Sequence, residues 1–64
     1  MLPRLIKRKE VENITSLSTA SIYRLVALQK FPAQILTGKR SVAWERQAVL
    51  DWCEERITDS KNAA

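Results

Sequence analysis

Two short helical stretches are broken at Thr15-Ser16. Two β-prone runs then follow around Gly38, the only glycine of the chain, and this order leaves few folds open to residues 9–44. Val11 and Ile14 lie three apart on one face of a first helix over Arg8 to Ile14. A helix that short needs tertiary packing to persist in water. Ser18 is suited to cap the second helix by accepting a backbone N–H, although Ser21 stands where a reciprocal capping box would need Glu or Gln. Ile22, Leu25 and Val26 form the inward stripe, with Leu17 ahead of it. Ala20, Tyr23, Arg24 and Ala27 point the other way. Pro32 disfavours helical angles in the residue before it, so the second helix is expected over 18–29.

Gln34-Ile35-Leu36 and Ser41-Val42-Ala43-Trp44 read as strands joined by Thr37 to Arg40, with Gly38 free to adopt positive φ. Val42 and Trp44 alternate onto one sheet face, where Ile35 is expected to meet them. Leu2 to Ile6 reads as a brief strand or an arm on the core. A last helix from Glu45 or Arg46 to Thr58 turns Val49, Trp52 and Cys53 inward, flanked by Leu50 and Ile57, and the tail from Asp59 is expected to fray. The expected fold is mainly α with a small β-hairpin, a single winged helix-turn-helix domain over 1–64 with its core at about 4–58. The expected core is Val11, Ile14, Leu17, Ile22, Leu25, Val26, Ile35, Val42, Trp44, Val49, Trp52 and Cys53.

Sixty-four residues make one domain, which buries only about 60% of its unfolded surface. The lone Cys53 excludes an internal disulfide, and no apolar run approaches the ~20 residues of a membrane span. Met1-Leu2-Pro3-Arg4 does not lead into a signal-peptide core, so a cytoplasmic location is expected. Catalysis is poorly supported. Without histidine there is no imidazole base, and Cys53 lies on an apolar stripe. Asp51, Glu54 and Glu55 read as a solvated face, and one glycine cannot build a phosphate-cradling loop. No enzyme activity, cofactor or metal is expected. Trp44 and Trp52 occupy core-facing positions and read as packing rather than as a base-stacking platform.

Charge is unevenly placed. Residues 1–40 carry eight Lys/Arg against two acids, a balance of +6, whereas residues 41–64 carry three against five, a balance of −2. The positive end coincides with the helix-turn-helix and the hairpin, a combination that can touch a DNA groove and its phosphate edge together. Arg24 could reach a guanine edge or a phosphate, and Tyr23 a phosphate or the sugar edge. Ser18, Thr19 and Ser21 lie at a helix start, where backbone N–H groups favour phosphate. Lys39 and Arg40, with Ser41 beside them, project from the hairpin tip. Lys7, Arg8 and Lys9 are either phosphate contacts from the first helix or solubilising charge.

Lys9-Glu10-Val11, Leu17-Ser18, Ile22-Tyr23-Arg24, Phe31-Pro32, Gly38 with Arg40, Val42, Trp44, Val49 and Trp52 together resemble the AlpA family of phage and prophage regulators. That family is similar in fold to the winged domains of the MerR group and to some phage excisionases. The resemblance covers about residues 4–57. It implies that Ser18, Thr19, Ser21, Tyr23 and Arg24 belong to a recognition helix, and that Lys39 and Arg40 belong to a wing.

It also implies a bacterial or phage-encoded, nucleoid-associated protein that switches transcription of an integrated element. Where the family usually has glycine, this chain has Ser16, so the turn is expected to carry strain of up to ~1 kcal/mol or to take a different path. Thr19 stands where arginine is common, Ala20 where a polar residue is common, and Lys39 where a second glycine is common. Two rivals remain open. One is an excisionase that bends DNA for an integrase. The other is a protein-interaction adaptor for a partner such as RNA polymerase, for which Ala20, Ala27 and Leu28 give a foothold. With no heptad seam, a monomer in solution is expected, able to assemble side by side on DNA.

Overall fold

A computed structural model describes residues 2–62. In chain order it contains β1 (Leu5–Ile6), α1 (Arg8–Thr15), α2 (Thr19–Ala27), β2 (Ile35–Leu36), β3 (Val42–Glu45) and α3 (Arg46–Asn62). The strands form one antiparallel sheet in the order β1-β3-β2, and α1 packs against α2, α3 and β3. Three helices around a small sheet give the mainly α architecture expected. Of the segment Leu2 to Ile6, only Leu5–Ile6 forms a strand, and the Arg46 N–H extends the pairing of β1 by donating to the Arg4 carbonyl at 2.7 Å.

The turn between α1 and α2 is built from backbone. Ser16 adopts left-handed angles (φ 61°, ψ 20°) and its N–H donates to the Glu12 carbonyl at 2.8 Å, which ends α1. The Thr15 hydroxyl donates to the Val11 carbonyl at 2.8 Å and accepts from the Leu17 N–H at 3.2 Å. Ser18 caps α2 as expected, its Oγ accepting from the Ser21 N–H at 3.2 Å. The far end of α2 corrects the expected span of 18–29. The helix stops at Ala27, with Gln29 left-handed at φ 60°. The Lys30 N–H reaches the Leu25 carbonyl at 2.8 Å and the Gln29 N–H reaches the Val26 carbonyl at 3.0 Å, a Schellman closure. This closure satisfies the last carbonyls before Pro32 is reached.

The core differs from expectation at Ile35, Ile6, Phe31 and Ala43, and at Cys53, which is only partly buried; register explains the sheet part. Ile35 pairs with Ala43 and Leu36 with Val42. Residues directly opposite share a face, so Ile35 lies on the face away from Val42 and Trp44 and is 43% exposed. Ile6, opposite Trp44, takes the inner position instead. Phe31 is also buried, with its ring 4.9 Å from that of Trp52, and Ala43 is buried on the outer face. Trp44, Ile22, Val11 and Val49 are fully buried. Removing each from water is worth about 1.5–3 kcal/mol. Ile14, Leu17, Leu25, Val26, Val42 and Trp52 pack around them, half-buried.

Both indole N–H groups find carbonyls, Trp44 that of Pro32 at 3.0 Å and Trp52 that of Lys30 at 2.8 Å. Both tryptophans are therefore packing residues. The last helix continues to Asn62 rather than ending near Thr58, and Ala63 and Ala64 of the expected frayed tail lie outside the described residues. No Gly or Pro interrupts it. Arg56 pairs with Asp59 at 3.1 Å and lies over the Trp52 ring at 5.6 Å, while Lys61 complements the negative end of the helix dipole. None of the described helices is long and apolar enough to cross a membrane.

Candidate nucleic-acid interface

The cap, the turn and the buried Ile22 stripe hold α2 so that Ala20, Tyr23, Arg24 and Ala27 are all exposed. Nine residues make a rod about 13 Å long. Nothing in the described chain covers this face. Tyr23 is steadied by Trp44, with ring centroids 6.2 Å apart and planes tilted by 60°. Arg24 has no carboxylate within 4 Å among the described residues, so its guanidinium is free.

The start of α2 is more engaged than the sequence suggests. The Thr19 hydroxyl donates to Glu12 Oε2 at 2.7 Å, and Arg8 Nε reaches the same oxygen at 3.2 Å. Thr19, counted among the DNA-contacting candidates, therefore has its hydroxyl proton committed inside the chain. Ser18 Oγ accepts the capping N–H and also donates to Ser21 Oγ at 3.0 Å, which leaves Ser21 with a free donor. Glu12 was not picked out from the sequence, yet its one oxygen ties the head of α1 to the head of α2. The Arg8–Glu12 spacing of four on a helix was the available signal.

The hairpin loop, residues 37–41, is exposed throughout and closes through the Thr37 N–H donating to the Ser41 carbonyl at 2.9 Å. Gly38 does not use the positive φ open to it. The closing bond and the β2–β3 register set the loop without a left-handed residue. A Cβ added at Gly38 would meet only Ser41 Cβ at 3.7 Å and Ser41 Oγ at 3.8 Å, which is ordinary contact. Lys39 and Arg40 have no carboxylate partners among the described residues.

Two physical links bring these parts together. Tyr23 of α2 rests on Trp44 of β3, the strand that leaves the loop. Lys7, Arg8 and Lys9 at the start of α1 share a groove with Arg40, Ser41 and Val42 at the loop's return. Through Glu12, Arg8 is in turn tied to Thr19. The head of α1 thus borders the loop's return on one side and is tied through Glu12 to the head of α2.

Cys53 is partly buried, and burial, followed by the neighbouring Glu54 carboxylate, pushes its thiol pKa up. A thiol held protonated in this way is a poor nucleophile.

Comparison with known proteins identifies the family. The family model described as prophage CP4-57 regulatory protein (AlpA) matches residues 4–57. Among curated proteins, the chain is 34% identical over 58 residues to an uncharacterized protein, ORF88, of Enterobacteria phage P4. The alignment takes in 91% of this chain and 66% of that relative, so the chain spans just under two thirds of the phage protein's length. With the match running from before β1 to near the end of α3, the chain belongs to the AlpA family of prophage regulatory proteins.

Proposed function

We propose that this chain is a single-domain, sequence-specific, double-stranded-DNA-binding regulator of transcription in a prophage or integrated element. In this reading α2 enters the major groove, and residues 37–41 act as a wing on the adjacent backbone or minor groove. The observation that carries it is an uncovered α2 face with an unpaired Arg24, on a helix whose Tyr23 rests on Trp44 of the strand leaving a loop whose Lys39 and Arg40 are also unpaired. An α-helix fits the major groove, which is about 12 Å wide, and Arg24 there can take a guanine edge. Ser21 and Tyr23 would meet the sugar–phosphate edge, and Ser18 would orient the helix start. Lys39, Arg40 and Ser41 would hold the backbone without reading bases.

Selection of bound sequences from a random duplex pool tests this directly. A defined site should emerge, and Arg24→Ala should weaken it by about 1–3 kcal/mol while relaxing preference at one position. Arg40→Ala should weaken all duplexes alike and make the slope of log K against log salt shallower by about 0.9. Several phased sites with measured bending would reassign the protein to the excisionase class. Binding to DNA that ignores salt, or full affinity in both variants, would falsify the interface.

A further inference from the structure

We infer that the groove between the start of α1 and the return of the hairpin loop seats a stretch of DNA phosphodiester backbone. This would be a third contact beside the α2 face and the loop tip, and it rests on the DNA-binding reading above. The groove has a volume of about 330 Å³ and is lined by Lys7, Arg8, Lys9, Arg40, Ser41 and Val42. Four cations come from two separate elements, and no carboxylate is in the lining.

Sorting by face makes this more than a consequence of a basic composition. Four other surface grooves each place a carboxylate beside their cations. Glu10 accompanies Lys7 and Arg46, Glu55 accompanies Lys30 and Arg56, and Glu45 accompanies Arg4 in the remaining two. Glu10 belongs to the first turn of α1, yet it lines a different groove, which it shares with Lys7. Arg8 and Lys9 thus face only the groove without acids, while Lys7 borders both.

Within the cationic groove only Arg8 has an intrachain partner, Glu12, which fixes its direction. Lys7, Lys9 and Arg40 have none among the described residues. Like charges gathered in a concavity repel one another, and a polyanion threading between them relieves that repulsion while releasing its own counterions. Ser41 adds a hydroxyl donor on the loop side. The solubilising role open to Lys7, Arg8 and Lys9 does not account for their gathering with Arg40 in a groove without acids.

The test uses the whole chain and the double variant Lys7→Gln, Lys9→Gln, both exposed positions whose change should leave the circular dichroism spectrum and melting temperature unaltered. Fluorescence anisotropy would follow binding to the selected duplex and to a shuffled duplex across a salt series. The expected result is an equal fold-loss on both duplexes and a salt slope shallower by about 1.8, from two phosphate contacts at ~0.9 each. If the double variant keeps native affinity and slope while Arg24→Ala still loses the site, the groove is not a backbone seat and the α2 reading stands. If the native chain binds no duplex, both readings fall. Loss confined to the selected duplex overturns the seat. So does displacement of duplex by inorganic phosphate, at constant ionic strength, from the native chain but not from the variant.

Discussion

The α2 helix and the hairpin loop carry cations toward the same proposed partner, but they are held in opposite ways. The helix is locked at both ends, by Ser18 before it and by the left-handed Gln29 after it, and Ile22 anchors it in the core. The loop between Leu36 and Val42 contributes no buried residue and is closed by one hydrogen bond. In α2, therefore, each outward residue depends on inward ones, and substitutions along it mix stability with binding. In the loop the two effects separate, because little of the fold depends on it.

The greatest divergence between the two regions should come from truncating one apolar residue in each. Ile22→Ala, at a fully buried position, should cost about 2–5 kcal/mol. That is a large share of the roughly 3–10 kcal/mol expected for a domain of this length. Leu36→Ala, 75% exposed, should shift stability by no more than about 0.5 kcal/mol. Urea or thermal denaturation reads both, and similar losses would end the distinction.

A smaller contrast concerns the two turns. Ser16 holds a left-handed conformation that costs a residue with a Cβ about 1–2 kcal/mol, so Ser16→Gly should raise stability by about 1 kcal/mol. Gly38 is not left-handed and has space for a methyl group, so Gly38→Ala should add about 0.4–1 kcal/mol by restricting the unfolded chain. A clear destabilisation by Gly38→Ala would show that the loop needs its glycine after all.

The smallest effect lies in α3. Burial raises the Cys53 thiol above its ordinary value of 9.0, so the folded chain keeps that proton longer than the unfolded chain does. Stability should accordingly be intact below this value and fall as pH rises through it. Melting curves taken from neutral to alkaline pH should flatten slightly in Cys53→Ala. A native chain with the same alkaline slope as the variant would show that Cys53 contributes nothing to it.

Much of this architecture was legible in the residue pattern because local rules determine it. The spacing of Ile22, Leu25 and Val26 defines the inner face of α2, and by exclusion leaves Tyr23 and Arg24 outside. Ser18 caps by its own chemistry. The exposure of Arg24, Lys39 and Arg40 was likewise readable, since nothing nearby in the chain competes for them. Less legible was anything that rests on one residue of register. The Ile35–Ala43 pairing exchanges Ile35 for Ile6 in the core, and period-two alternation is compatible with either choice. The end of α2 was missed because a non-glycine residue, Gln29, took the left-handed position, where sequence rules look first for glycine.

Taken alone, the amino-acid order determined the helix faces, the turn position, the charge division and the absence of an imidazole base. Each of these follows from the periodicity or chemistry of neighbouring residues. Only the tertiary structure decided that Glu12 joins Arg8 to Thr19, and that Lys7, Arg8 and Lys9 meet Arg40 across a groove without acids. Those residues are brought together by how α1 packs on α2 and β3. No local rule specifies that packing, because it is set by the shared burial of Val11, Ile22 and Trp44.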